Sequence, residues 1–259
     1  MRRAALLLVG HGASADARAG QSLRAAASAL RTRGVFREVR IGFWKGRPRL
    51  DLAVARARSP IVLIVPWLFS DGWFFRRVIP QALGLCGRVA QREGRLFLLA
   101  DPVGVHPDMA KAVLRAAAFA CRSARGVSPP RAQTTLIVVG HGTNRDGSSA
   151  TAVRAAVAEL RRRDQWAQVL PAYLDQEPSA RRALHRVRAP YAVVVPFFAG
   201  DGPHSRRDLP RLMGLMPRDA LRPPPNPIRW RKRLLVWRAR ALGTGPWMPR
   251  IVLDQARKA

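Results

Sequence analysis

The sequence predicts an α/β protein of two tandem Rossmann-like domains, each a parallel four-stranded sheet flanked by helices. Three observations carry this. Short apolar runs alternate with longer Ala/Arg/Leu stretches of helical spacing, the βαβα pattern of a sheet covered by helices. The runs are continuous, as in "IVLIVPWLF" and "YAVVVPFF", which suits strands buried on both faces. And the pattern occurs twice: residues 4–80 laid over 134–210 at an offset of 130, without a gap, are identical at 25 of 77 positions.

Taken in order, the strands of the first copy fall near 4–10, 38–44, 61–68 and 95–101, and those of the second near 134–140, 167–174, 191–198 and 233–238. The identities sit at structural punctuation: Gly10/Gly140, His11/His141, Gly12/Gly142, Asp16/Asp146, Pro48/Pro178, Pro66/Pro196, Asp71/Asp201 and Pro80/Pro210. Further on, "VGVHPDMAKAVL" (103–114) matches "LGTGPWMPRIVL" (242–253) at an offset of 139. The second copy therefore carries nine extra residues, expected as a loop in the proline-rich "RPPPNPIRW". These signals divide the chain into repeat 1 (1–124), a linker (125–133, "RGVSPPRAQ") and repeat 2 (134–259).

Composition bounds the function. With 48% apolar residues in 259, the chain builds a packed core. The net charge of +30 points to an anionic partner. Only four of the 46 cations are lysine, so an arginine-rich coding bias explains the charge about as well. The basic residues are scattered through both copies, with no helix-turn-helix, zinc-finger or RNA-recognition signature, so no nucleic-acid partner is expected. Cys86 and Cys121 form no CxxC pair, which suits a reducing compartment. The N-terminus "MRRAALLLVGHGASADA" imitates a signal peptide, but its strand-and-loop pattern recurs mid-chain as "TTLIVVGHGTNRD", so it reads as a first strand. No apolar run reaches the roughly 18–20 residues of a membrane span. A cytoplasmic protein without a membrane partner is the expectation.

Ligands of open parallel sheets bind outside the carboxyl ends of the strands, and His11 and His141 lie at such ends. His204, in "VVVPFFAGDGPHSRRDLP", ends the third strand of repeat 2; its counterpart in repeat 1 is Phe74. Two histidines on neighbouring loops, without cysteine and with few carboxylates, suit an open, incompletely filled site for a divalent first-row metal. Trp67, Phe69, Trp73, Phe74 and Phe75 read either as core or as an apolar wall for a flat ring. His106 reads as a helix N-terminal residue and His185 as part of a solvated helix face.

The two GHG strands, "YLDQEPSARRAL", "VVVPFFAGDGPHSRRDLP" and "VGVHPDM" together resemble the class II chelatases, in particular the sirohydrochlorin cobaltochelatase/ferrochelatase (CbiX-like) family in its fused two-repeat form. The resemblance covers most of both copies. It implies two tandem chelatase domains and the insertion of cobalt or iron into a sirohydrochlorin-type tetrapyrrole, in cobalamin or siroheme biosynthesis. The divalent metal is then a substrate, no cofactor is tightly bound, the partners are the anionic tetrapyrrole and the metal ion, and the fused repeats act as a monomer. On this reading the histidine pair is His141 and His204, with His11 as a further metal-handling residue. Phe74 departs from the pattern and places the working pair in repeat 2. Glu177 becomes the candidate proton acceptor or metal relay, unless it is merely the charge at a helix start beside Pro178, and Asp208 or Asp146 would orient a histidine. The pairs Arg76–Arg77 and Arg206–Arg207 would clamp ring carboxylates, and Trp73 and Phe74 would line the ring. The alternative is a non-catalytic metal or tetrapyrrole carrier of the same fold, for which Phe74 and Arg47, in the place of Glu177, speak.

Overall fold

A computed structural model describes residues 1–13, 20–122, 128–143, 148–217, 219–222, 224–231 and 233–259. Asp16 and Asp146 lie outside these. Two compact units are formed, one from Met1–His106 together with Pro246–Ala259 and the other from Pro107–Gly245.

In the first unit the strands are β1 (Ala4–Gly10), β2 (Glu38–Phe43), β3 (Ile61–Pro66), β4 (Val89–Arg92) and β5 (Arg95–Leu99). Their order is β2-β1-β3-β5-β4. β2, β1, β3 and β5 run parallel. The second unit repeats the plan with β6 (Thr134–Gly140), β7 (Gln168–Tyr173), β8 (Tyr191–Pro196), β9 (Ile228–Trp230) and β10 (Leu234–Arg238), in the order β7-β6-β8-β10-β9. Each sheet thus has five strands rather than the four expected. The extra strand is an antiparallel edge, β4 on β5 and β9 on β10. β9 also turns the end of "RPPPNPIRW", expected as loop, into ladder.

The central strands form because their apolar runs are buried without a break. Every residue of β1 and β6 is buried, and Leu6, Leu7 and Leu8 are fully so, each side chain stabilising the fold by about 1.5–3 kcal/mol relative to exposure. Helices α1 (Gln21–Thr32), α2 (Leu50–Ala55) and α3 (Ile79–Leu83) follow the first three strands. α5 (Ser148–Arg162), α6 (Ala180–Ala183) and α7 (Leu209–Leu212) are their counterparts.

Two helices depart from chain order. α4 (Met109–Arg122), which follows β5, packs on β8, β10 and α5, in the second unit. α8 (Met248–Ala256), the last element, packs on β3 and α1, in the first. Buried Gln255 on α8 donates through Nε2 to the Pro102 carbonyl at 2.9 Å. The divisions expected at 124 and 134 therefore do not coincide with the compact units.

Candidate functional site

In the order β7-β6-β8, the chain leaves the central strand β6 for one side of the sheet and returns to the other, which opens a crevice at the strands' carboxyl ends. The loops after β6 and β8 carry His141 and His204.

Glycine sets the first loop. Gly142 has a φ of +74°, and a Cβ there would lie 2.6 Å from Gln176 Cγ and 2.9 Å from Tyr173 Cβ, so only glycine lets the histidine loop lie against the loop after β7. That neighbour holds it tightly. The Asp175 N–H donates to the His141 carbonyl at 3.1 Å, and the Thr143 N–H to Gln176 Oε1 at 2.9 Å.

Proline sets the second. Residues His204–Asp208 form a π-helical turn ahead of α7, closed by the Leu209 N–H on the His204 carbonyl. Pro210 has no N–H to give and its ring crowds the carbonyl four residues back, so the turn opens. Such turns recur at functional sites. Asp201 fixes the turn to β10: its Oδ1 accepts from Ser205 Oγ at 3.1 Å and from the Ala241 N–H at 2.8 Å, and its Oδ2 pairs with Arg240 Nε at 2.8 Å.

The two imidazoles meet with ring centroids 4.9 Å apart and planes at 73°. Each has its own carboxylate: His141 Nδ1 lies 3.0 Å from Asp175 Oδ2, and His204 Nδ1 lies 2.8 Å from Asp208 Oδ2. An Nδ1–H donated to a carboxylate leaves the lone pair on Nε2, the tautomer a metal ion needs. Both rings are half-exposed, and no three metal-ligating side chains form a group among the described residues. The result is an open two-imidazole site.

Asp208 thus stands where the sequence placed it, beside a histidine. Asp175 was not foreseen; two residues from Glu177 in "YLDQEPSARRAL", nothing in the sequence told the two acids apart. Glu177 is engaged locally, its Oε2 accepting from the Ser179 N–H at 2.7 Å ahead of α6. Asp201 was visible only as an identity with Asp71. Arg206 and Arg207 are exposed on the π turn.

The first unit has the same geometry with different chemistry. His11 and Phe74 are also 4.9 Å apart, and Phe74 opens an equivalent π turn, Phe74–Val78. At the other three positions Lys45 replaces Asp175, Arg47 replaces Glu177 and Val78 replaces Asp208. His11 Nδ1 lies 2.9 Å from the neighbouring Gly12 carbonyl. Arg76 is held by Asp71 at 2.7 Å, and Arg77 is exposed. The aromatic cluster divides: Trp67 and Phe75 are core, whereas Trp73 is 66% exposed and Phe74 half-buried. His106 is buried just before α4, and exposed His185 stands edge-on to Trp230 at 5.0 Å.

A duplicated, mostly parallel sheet with an open histidine pair at its switch point is the arrangement to be set beside known metal chelatases. A CbiX family profile matches residues 5–119 and 135–259; the chain belongs to the CbiX family, in a fused two-repeat form. It is 29% identical over 273 aligned positions to a protein of Halobacterium salinarum described as a probable sirohydrochlorin cobaltochelatase, covering 98% of this chain and 91% of that one. A multi-domain protein of Deinococcus radiodurans, described as similar to chelatases with two additional novel domains, superposes with a TM-score of 0.82 at 26% identity. That match covers 99% of this chain but spans only 55% of the Deinococcus protein. The fold is also that of the sirohydrochlorin chelatase SirB of Bacillus subtilis, solved in complex with cobalt (TM-score 0.67, 16% identity, 98% and 94% coverage).

Proposed function

We propose that this chain inserts a divalent metal, cobalt or iron, into a sirohydrochlorin-type tetrapyrrole, and that His141 and His204 hold the ion while it is transferred. The observation that carries the reading is the pair of imidazoles 4.9 Å apart, each backed by its own carboxylate. Insertion requires the ion to shed water and the ring to lose two pyrrole N–H protons. Neutral imidazoles suit the first task because they bind a first-row metal without the tightness of thiolates, and so can release it. Asp175 and Asp208 keep each Nδ1–H in place so that Nε2 faces the ion unprotonated. Glu177 serves as the proton acceptor through Oε1, its Oε2 being held by Ser179. Arg206 and Arg207 meet ring carboxylates, to which guanidinium groups bind bidentately. Among the described residues no helix is long and apolar enough to cross a membrane.

The test is direct. Purified protein is mixed with sirohydrochlorin and Co²⁺, Fe²⁺ or Ni²⁺ in turn, and the absorbance of the macrocycle is followed. A change to the metallated spectrum with cobalt or iron, faster than without protein, is expected. Binding of the ring without metallation would move the chain to the carrier reading.

A further inference from the structure

We propose that the amino-end edge of the first sheet is a docking surface for an anionic lipid bilayer, held by Arg2, Arg3, Arg33, Arg37 and Arg58. Along the sequence these arginines lie in separate stretches; the fold gathers them. β2, β1 and β3 are parallel, so the residues that enter them share one edge, at the end of the sheet away from His11. The Arg37 N–H donates to the Ala4 carbonyl at 3.0 Å, next to Arg2 and Arg3. Arg58 comes into β3 with its N–H on Glu38 Oε1 at 2.7 Å, and Arg33 caps the carboxyl end of α1, which returns to the same edge to meet β2. All five are exposed and have no ion pair among the described residues. The acids beside them are engaged, Glu38 with Arg40 and Glu93 with Arg95, so the arginine charges stand uncompensated.

The second copy supplies an internal control. At the equivalent positions Ala132, Gln133 and Ala167 replace Arg2, Arg3 and Arg37. Arg163, in the place of Arg33, pairs with Glu159 at 3.1 Å, and Arg188, in the place of Arg58, is exposed. A bias towards arginine codons acts on both copies alike, whereas here one of them holds the cluster. Apolar side chains select the partner. Met1 and Ile61 are exposed within the cluster and adjacent to each other, for the Met1 carbonyl accepts from the Ala4 N–H at 2.9 Å and Ile61 lies opposite Ala4 in the ladder. Cations around a small exposed apolar centre suit lipid headgroups: each arginine adds attraction to the anionic surface, and the apolar pair enters the boundary with the acyl chains. A nucleic acid fits less well, because the phenylalanines of this edge, Phe36 and Phe97, are buried and cannot stack on a base. Such a surface contact needs no spanning helix, and it does not depend on the proposed metal insertion.

The full chain is mixed with vesicles of phosphatidylcholine, alone or with about 30% phosphatidylglycerol, at about 0.15 M salt, and the bound fraction is measured by flotation. Binding to the anionic vesicles and not to the neutral ones is expected. Arg2→Gln, Arg3→Gln, Arg37→Gln and Arg58→Gln together are expected to weaken it at least about 30-fold, and Arg→Lys at the same positions, which keeps the charge, less than about threefold. Arg115→Gln, Arg122→Gln, Arg181→Gln and Arg182→Gln, all exposed and away from this edge, remove as much charge and are expected to cost less than about threefold. Comparable losses from the two glutamine sets would reduce the effect to the general charge of +30 and overturn the surface. Equal binding to neutral vesicles, no binding to anionic ones, or loss of binding in the lysine set would do the same. Polyuridylate binding that is tighter than vesicle binding and is lost in the first glutamine set would assign the edge to nucleic acid and overturn the lipid reading.

Discussion

On the proposed reaction, Asp175 and Asp208 set how His141 and His204 act, because an imidazole whose Nδ1–H is held by a carboxylate offers Nε2 to a metal in one orientation only. Replacing His141 or His204 by alanine is therefore expected to lower metal insertion by at least about 100-fold, above the 10–100-fold typical of losing an outer-shell partner. His11→Ala, opposite a phenylalanine that ligates nothing, is expected to retain activity. Circular dichroism should stay native in all three; equal damage from His11→Ala would move the site out of the second unit. Asp175→Asn is expected to cost about tenfold. Asp201 is satisfied by Ser205, Ala241 and Arg240 and is only 9% exposed. In the first unit Phe75 stands for Ser205 and Pro102, which has no N–H, for Ala241; accordingly Asp71 Oδ1 is buried with no partner among the described residues. Asp201→Ala should cost about 2–4 kcal/mol and Asp71→Ala under about 1 kcal/mol, since it loses only a partly exposed ion pair. Denaturation midpoints that shift equally would refute this. Of the histidine pair, His141 was flagged by its duplicate His11, and His204 by its place after the third strand of repeat 2. Of the pair's carboxylates Asp208 was legible and Asp175 was not, since Asp175 and Glu177 differ only in which way a loop turns them.

At the level of elements, the eight parallel strands were readable from continuous apolar runs, whereas β4 and β9 were not. "VAQR" and "IRW" are short and carry polar or exposed side chains, so nothing in their pattern separates an edge strand from a turn. The join between β2 and β3 in the first unit depends on one carboxylate. Glu38 accepts from Arg58 N–H at 2.7 Å, Ser59 N–H at 3.0 Å, Ser59 Oγ at 3.1 Å and Arg40 Nε at 2.6 Å. Partial burial pushes its pKa up, but these bonds and the Arg40 charge outweigh that and hold it below the ordinary glutamate value. A carboxyl depressed in the folded state contributes stability that is present above its unfolded pKa and is lost as the pH falls through the folded one. Wild type should therefore exceed Glu38→Gln in Tm at neutral pH, and the gap should close as the pH falls below about 4.3. A gap independent of pH would show that the carboxylate's charge contributes nothing. In the second unit Gln168 occupies this position, so Gln168→Ala should show no such dependence.

For the whole molecule, the governing feature is that each unit is completed by a helix from the other copy. The sequence did not disclose this, because α4 and α8 stand at equivalent places in the two copies and each simply buries an apolar face, Met109 and Val113 with several alanines in α4 and Met248, Ile251, Val252 and Leu253 in α8, which does not say which sheet it covers. Expressed alone, residues 1–124 lack α8 and residues 134–259 lack α4. Neither fragment is expected to be a folded monomer, and co-expression should yield a 1:1 complex with the far-ultraviolet spectrum of the intact chain. A fragment that is monomeric and unfolds cooperatively by itself would show that each copy can close on its own helix. The crossing also bears on how such a protein changes over evolutionary time. Because each unit holds the other copy's last helix, deleting either copy would strip the remaining one of part of its core, which ties the copy without the histidine pair to the fold whatever its chemistry. Its loops need only preserve the scaffold, and Phe74, Lys45 and Arg47 stand there where the other copy has His204, Asp175 and Glu177.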